Sequence, residues 1–338
     1  MNWIANSDTI IFHPNFNEEL DIELISAYTK LIFSNYVLGE KLFKHCTNYR
    51  FVGLGFLGSD FNQDVSKLPQ TITHLTFGLC FNQDVSKLPH NLTHLIIGDN
   101  FNQNVSKLPP FLTHLTFGYY FNQDVTNLPP FITHLTFGWN FNQDVSKLPI
   151  TITHLTFGKW FNQDISELPP FLTHLTISES FDQCVLKFIS TLTHLTFDDE
   201  FNQVISKLPT TITHLAFGYK FNQQYDIPNN IKYLNLCCNN SYIINNLPNS
   251  IIELELGYVF NLEINNLPTS IKKIFISKGN KYYNHDLNCL PDFVEELCLN
   301  SNYIKRILHI PPNFKKLICS KYYVYIDDFV MYDVETYE

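Results

Sequence analysis

Residues 121–160 read FNQDVTNLPPFITHLTFGWN and then FNQDVSKLPITITHLTFGKW, so the second twenty residues restate the first. The same unit starts at Phe61, Phe81, Phe101, Phe121, Phe141, Phe161, Phe181 and Phe201. Six apolar positions recur in each, in the first unit Phe61, Val65, Leu68, Ile72, Leu75 and Phe77. Within ITHLTF (72–77) the first, fourth and sixth places are apolar. An extended strand therefore turns Leu75 and Phe77 to one side and His74 and Thr76 to the other. Twenty residues accommodate one strand and two turns, with no length left for a helix of about ten residues. The return path is expected to be extended and irregular, with Pro69 fixing its backbone angle.

One such unit cannot bury its own apolar face, so successive units must stack. The LxxLxL spacing predicts a leucine-rich-repeat-like solenoid of about 16 short parallel strands in one sheet, with irregular return segments and little helix. Asn62 and Gln63 recur as columns, Asp182 being the exception among the asparagines. A stacked, buried Asn column predicts a ladder that satisfies turn backbone groups of the next coil. Asp64 and Lys67 predict acid and base rows side by side on the outside, a solvated face of weak ion pairs.

The pattern extends beyond the regular block. Downstream it continues in IKYLNL (231–236), IIELEL (251–256), IKKIFI (271–276), VEELCL (294–299) and FKKLIC (314–319). Upstream, TIIFHPNFN (9–17), TKLIF (29–33) and VGLGFLGSDFN (52–62) fit it more loosely. Strand cores are expected at residues 10, 31, 54, 75, 95, 115, 135, 155, 175, 195, 215, 234, 254, 274, 297 and 317. At about 4.8 Å per strand the array would run on the order of 75 Å as one body. The organisation read from this is 1–60 as degenerate repeats, 61–221 as regular repeats, 222–320 as divergent repeats and 321–338 as a capping tail. Val37, Leu38, Leu42 and Phe43 are spaced for a short helix over 35–47 that helps cap the N-terminal end. The tail is expected to cover the last open strand edge.

Composition agrees. Of 338 residues only three are alanine, while 30 are Phe and 18 Tyr, which disfavours a mainly helical protein. A hydrophobic fraction of 45% excludes a disordered chain, and a net charge of −10 argues against a nucleic-acid partner. No apolar run approaches about 18 residues, and the first residues do not resemble a secretion signal. The eight cysteines (46, 80, 184, 237, 238, 289, 298, 319) follow no disulfide or zinc spacing and read as thiols in a reducing compartment.

The recurring F-N-Q-x-V/I-x-x-L-P-x-x-I/L-T-H-L-T-F-G resembles the FNIP repeats, a short leucine-rich-repeat-like family of amoebae and their giant viruses. The resemblance is strong over 61–221 and weaker over most of 9–319. It implies an interaction protein, in the cytoplasm of the host cell if viral. Some members carry an F-box ahead of the repeats and recruit a ubiquitin ligase. Here repeat-like sequence begins by residue 9, and no complete three-helix F-box fits in 1–50 without displacing those strands.

Two features are candidates for function. His74, His94, His114, His134, His154, His174, His194 and His214 form a column on the outward sheet side, with rings about 4.8 Å apart. Duplication alone can produce such a column; a pH-sensitive face and adjacent rings sharing a zinc or copper ion are the functional readings. No carboxylate or Cys column stands beside it, so no metal site is assigned. The second feature is the pair after Gly78, which varies as LC, DN, YY, WN, KW, ES, DE and YK through the units. Tyr119, Tyr120, Trp139 and Trp160 gather there on three consecutive coils, and exposed Trp and Tyr dominate binding hot spots. Glu253, Glu255, Glu295 and Glu296 read as solvating residues. No nucleophile–base set or phosphate loop occurs, so no catalytic residue and no cofactor are assigned. The expected function is a non-enzymatic protein-interaction scaffold using Tyr119, Tyr120, Trp139 and Trp160 with His114, His134 and His154. The alternatives are a ubiquitin-ligase substrate adaptor and a metal-binding surface.

Overall fold

The computed structural model describes residues 3–13, 15–33, 60–178, 180–181, 190–205 and 208–338. It divides into two compact units, Met1–Gln183 and Cys184–Glu338. The expected helix over 35–47 and the strand core at 54 lie outside the described residues, as do Cys46 and Cys184.

Unit 1 begins with β1 (Trp3–Ala5), β2 (Thr9–Phe12), the single-turn helix α1 (Ile22–Ile25) and β3 (Lys30–Phe33). It continues with β4 (His74–Thr76), β5 (His94–Ile96), β6 (His114–Thr116), β7 (His134–Thr136), β8 (His154–Thr156) and β9 (His174–Ile177). From β2 to β9 every neighbour is parallel; only β1 runs antiparallel, against β2. β3 pairs directly with β4, Leu31 opposite Leu75. The register in the block is His on His and Leu on Leu, as a 20-residue repeat demands.

Unit 2 holds β10 (His194–Phe197), β11 (His214–Phe217), β12 (Tyr233–Leu236), the short helix α2 (Ser241–Asn245), β13 (Glu253–Leu256), β14 (Lys273–Ile276), β15 (Glu296–Cys298) and β16 (Lys316–Ser320). After a single-turn 3-10 helix, Ile326–Phe329, comes β17 (Asp333–Tyr337), and consecutive strands from β10 to β17 are all parallel neighbours. The tail places β17 in parallel along the β16 edge. β2–β17 are sixteen parallel strands, each three to five residues long. Their irregular returns make this a leucine-rich-repeat-like β-solenoid.

The core follows from the apolar columns. Phe61, Val65, Ile72, Leu75 and Phe77 are each at most 2% exposed, and their described equivalents in the later regular coils are buried too, except the half-buried Ile165 and Ile205. The Phe that ends one strand packs on the Phe that opens the next unit, four residues on: Phe77 on Phe81 at 3.6 Å, Phe137 on Phe141 at 3.7 Å. Between them Gly138 passes so close to the preceding coil that a Cβ there would stand 1.9 Å from the Gly118 carbonyl oxygen.

Backbone groups of the turns are satisfied from coil to coil. The Asn142 N–H donates to Asn122 Oδ1 at 2.9 Å, and the series runs back through Asn102, Asn82 and Asn62 to Asn17. The Gln next to each Asn adds a bond from Nε2 to the same oxygen, as Gln143 does to Asn122 at 3.0 Å. The ladder is therefore as expected, except that it lies at the surface, with Asn102 and Asn162 exposed. Fully buried asparagines appear instead in unit 2, where Asn280 Nδ2 donates to the Gly257 and Phe260 carbonyls.

The Asp column differs from expectation. Asp64 accepts from the Ser66 N–H and Oγ, both at 2.8 Å, and Asp84, Asp144 and Asp164 do likewise with the Ser two residues on. These bonds, more than the lysines, hold the Asp carboxyls below their usual range. The short side chain of Asp reaches its own turn before it reaches a cation, so the column fixes local backbone.

Candidate functional site

The histidines of unit 1 form a stack. Ring centroids are separated by 4.1, 4.2, 4.3, 4.1 and 4.0 Å from His74 through His174, with planes within 14° of parallel. In unit 2, His194 stacks on His214 and His214 on Tyr233. From Thr73 to Thr173 each Thr before a His bridges two coils: the Thr133 hydroxyl donates to the Thr113 carbonyl at 3.2 Å and lies 2.9 Å from His134 Nδ1. With its one proton directed to the carbonyl, the Thr oxygen accepts from Nδ1–H. This network assigns the neutral ring its Nδ1 proton and leaves Nε2 outward.

Such stacking has two chemical consequences. Lone pairs of parallel rings point the same way and do not converge, so neighbouring imidazoles in these rotamers cannot close on one ion. Among the described residues no group of three or more His, Cys, Asp or Glu could hold a metal. Second, the imidazolium form is disfavoured: His94, His134 and His154 are pushed down to about 4, first by burial and then by the neighbouring histidines. The half-buried placement of the rings is the larger cause of the shift, and repulsion between stacked neighbours the smaller.

The variable pair lies in the turn after each strand. Its backbone is bonded from coil to coil: the Tyr120 N–H donates to the Asp99 carbonyl, Asn140 to Tyr119, and Trp160 to Trp139, at 2.8–2.9 Å. Because the backbone supplies the bonds that hold this turn, its side chains are left to vary. Among the described residues the first position of the pair is half-buried, and the second is exposed at Asn100, Tyr120, Trp160 and Lys220. Trp139 stands between the Tyr119 ring at 5.0 Å and Lys159 Nζ at 5.3 Å, and Lys159 also lies over Trp160 at 5.9 Å. Tyr119 meets Tyr120 edge-on at 4.6 Å. Tyr120 and Trp160 are about half exposed. The structure thus brings Tyr119, Tyr120, Trp139 and Trp160 into one aromatic row, while His114, His134 and His154 occupy the adjoining strands.

Sequence reasoning passed over two other surfaces. In unit 2 the outward column reads Glu253, Lys273, Glu296, Lys316, Asp333 in register across β13–β17, with alternating sign. Lys273 pairs with Glu296 at 3.2 Å, and Glu295 pairs with both Lys272 and Lys315. Of the four glutamates expected only to solvate the sheet, Glu295 and Glu296 are partners in ion pairs between coils. The second surface lies in the turn before each strand, where PQT (69–71) and PHN (89–91) give way to PPF at 109–111, 129–131 and 169–171. The doubled proline was the available signal, and Phe111, Phe131 and Phe171 are all exposed.

The FNIP Repeat family matches residues 121–160, 190–220, 206–239 and 239–279. The chain carries FNIP repeats. Among solved structures, CroV588, a circular leucine-rich-repeat protein of a giant virus, is 35% identical with a TM-score of 0.62. The alignment covers 94% of this FNIP array and 50% of that chain, so the array spans about half the length of that protein. An internalin, InlF of Listeria monocytogenes, is 18% identical with a TM-score of 0.44, covering 80% of this chain and 88% of its own. The functional domain of InlJ from the same organism is 16% identical at 0.43, covering 77% and 60%. Comparison with curated proteins gives no match. Among the described residues no helix is long and apolar enough to cross a membrane.

Proposed function

We propose that this FNIP array is a non-enzymatic scaffold that binds another protein through Tyr119, Tyr120, Trp139 and Trp160. The adjoining His114, His134 and His154 supply the flat part of the same surface. The observation that carries this reading is the build of the aromatic row. Trp139 is held in place by Tyr119 and Lys159, while Trp160 and Tyr120 keep half their surface open. Preorganised aromatic side chains lose little entropy when a partner covers them, and such groups carry most of the binding energy at protein interfaces. Repeat solenoids present extended surfaces of this kind, and regular ladders place like beside like, which suits recognition better than catalysis.

The test is affinity capture from the native cell with the full chain and with Trp139→Ala/Trp160→Ala. The expected result is a partner retained by the wild type and weakened at least tenfold by the double substitution, about 1.4 kcal/mol. The variant should melt within a few degrees of the wild type. A partner bound equally by both proteins removes the aromatic row from the interface.

A further inference from the structure

An exposed apolar row in the turn before the strand runs along four consecutive coils of unit 1. It consists of Pro110 and Phe111, Pro130 and Phe131, Ile150, and Pro170 and Phe171. Exposure is 53% for Phe111, 52% for Phe131, 65% for Ile150 and 60% for Phe171. Phe111 stacks on Phe131 at 6.2 Å, and the next place in the row is taken by Thr151, whose hydroxyl is spent on the Pro130 and Ile132 carbonyls. In the two preceding coils the same positions are polar and bonded to one another. There the His90 N–H donates to Gln70 Oε1, and Asn91 Nδ2 to the Gln70 carbonyl. An apolar strip that starts abruptly beside a polar rim marks an interaction site. Nothing in the fold requires it, because the neighbouring coils form the same turn with Gln, Thr, His and Asn.

We infer that this strip is the interface at which two copies of the chain pair antiparallel about a two-fold axis, placed between the coils that begin at Phe121 and Phe141. The argument is one of self-complementarity. A two-fold interface brings each patch against itself, so residue i of one copy meets residue j of the other and the reverse. About this axis Phe111 meets Phe171 of the second copy, Pro110 meets Pro170, and Pro130 meets Ile150. The charged column three residues before the strip reads Lys107, Asn127, Lys147 and Glu167. The same operation sets Lys107 of each copy against Glu167 of the other and Lys147 against the neutral Asn127, so no like charges face each other in that column. At about 200 Å² per large apolar side chain, the four exposed residues leave roughly 400 Å² open on each copy. That is half the usual 800 Å² per partner and forms an apolar centre, for which the prolines, Lys107 and Glu167 supply the rim.

The surface is distinct from the aromatic row after the strand, so the inference stands independently of the partner reading above. Sedimentation of the full chain should show dimers forming as its concentration rises toward about 100 µM. Phe111→Ser with Phe171→Ser should weaken dimerisation at least tenfold without lowering the melting temperature, because both rings are exposed. Glu167→Lys alone should weaken it several-fold, and Lys107→Glu combined with Glu167→Lys should restore it. Trp139→Ala/Trp160→Ala should leave it unchanged. A wild-type chain that stays monomeric at 100 µM overturns the inference. So does a dimer indifferent to the Phe substitutions, or a charge reversal that the second reversal fails to rescue.

Discussion

A single position decides whether a side chain of this protein meets water or the interior. Leu135 is 1% exposed and lies in register between Leu115 and Leu155, while Thr136 lies between Thr116 and Thr156 on the outward side. Leu135→Asp would place a carboxylate among apolar neighbours with no cation to meet it, and the expected cost exceeds about 4 kcal/mol. Thr136→Asp leaves its charge at the surface and should cost about 1 kcal/mol or less. Denaturant melts of the two variants measure the difference, and equal losses would contradict the register. That alternation was readable in ITHLTF, because a period of two leaves only two choices and the apolar places select one. The role of Asp64 was not readable in the same way. Sequence spacing puts Lys67 three residues away, but it is the turn geometry that places the Ser66 N–H and hydroxyl within 2.8 Å.

At the scale of the coil, strand and turn are fixed by different forces. The strand is held by ladder bonds and apolar burial. The turn after it is held by Phe packing across four residues and, at Gly98, Gly118, Gly138 and Gly158, by a close approach of backbone to the preceding coil. Gly138→Ala would bring a methyl group to 1.9 Å from the Gly118 carbonyl oxygen and 2.9 Å from the Tyr119 nitrogen, and Gly158 is under the equivalent constraint one coil on. Backbone atoms cannot yield as a flexible side chain does, so the two coils must separate locally. The expected loss is about 2–4 kcal/mol, larger than the cost of an ordinary surface substitution. Thermal melting of Gly138→Ala against Thr136→Ala measures it, and equal stability would show that the coils can part at no cost. The strands, their order and the inward columns were legible because each coil repeats the same six apolar places. The surfaces were legible only in part. Trp139 and Trp160 announce themselves as rare residues in a variable place, whereas Phe111 and Phe131 look like core residues in a sequence already rich in buried Phe. Only their position after a second proline, one residue ahead of the buried Leu112 and Ile132, separates them.

Across unit 1 the repeat turns a small property of one residue into a property of the whole array. Five histidines, His74, His94, His114, His134 and His154, have their ionisation shifted the same way, toward the neutral ring. Burial is the first cause for each of them, and at His134 and His154 neighbouring histidines add to it. At the end of the column Lys30 lowers His74 further, and Asp8 opposes it. A ring depressed in the fold binds fewer protons there than in the unfolded chain, whose histidines titrate near 6.5. Stability is therefore complete above about pH 6.5 and is lost progressively as pH falls toward about 4, where His94, His134 and His154 take up protons in the folded state as well. The melting temperature should decline through that window, and the decline should shrink when alternate histidines are replaced by Gln. The two causes are separable by NMR titration. With His114 and His154 both changed to Gln, His134 loses its charged neighbours but keeps its burial, so its titration should stay well below 6.5. A return to 6.5 in that variant would make repulsion the main cause. A wild-type ring that already titrates at or above 6.5 would leave the column as stacking without any effect on acid stability.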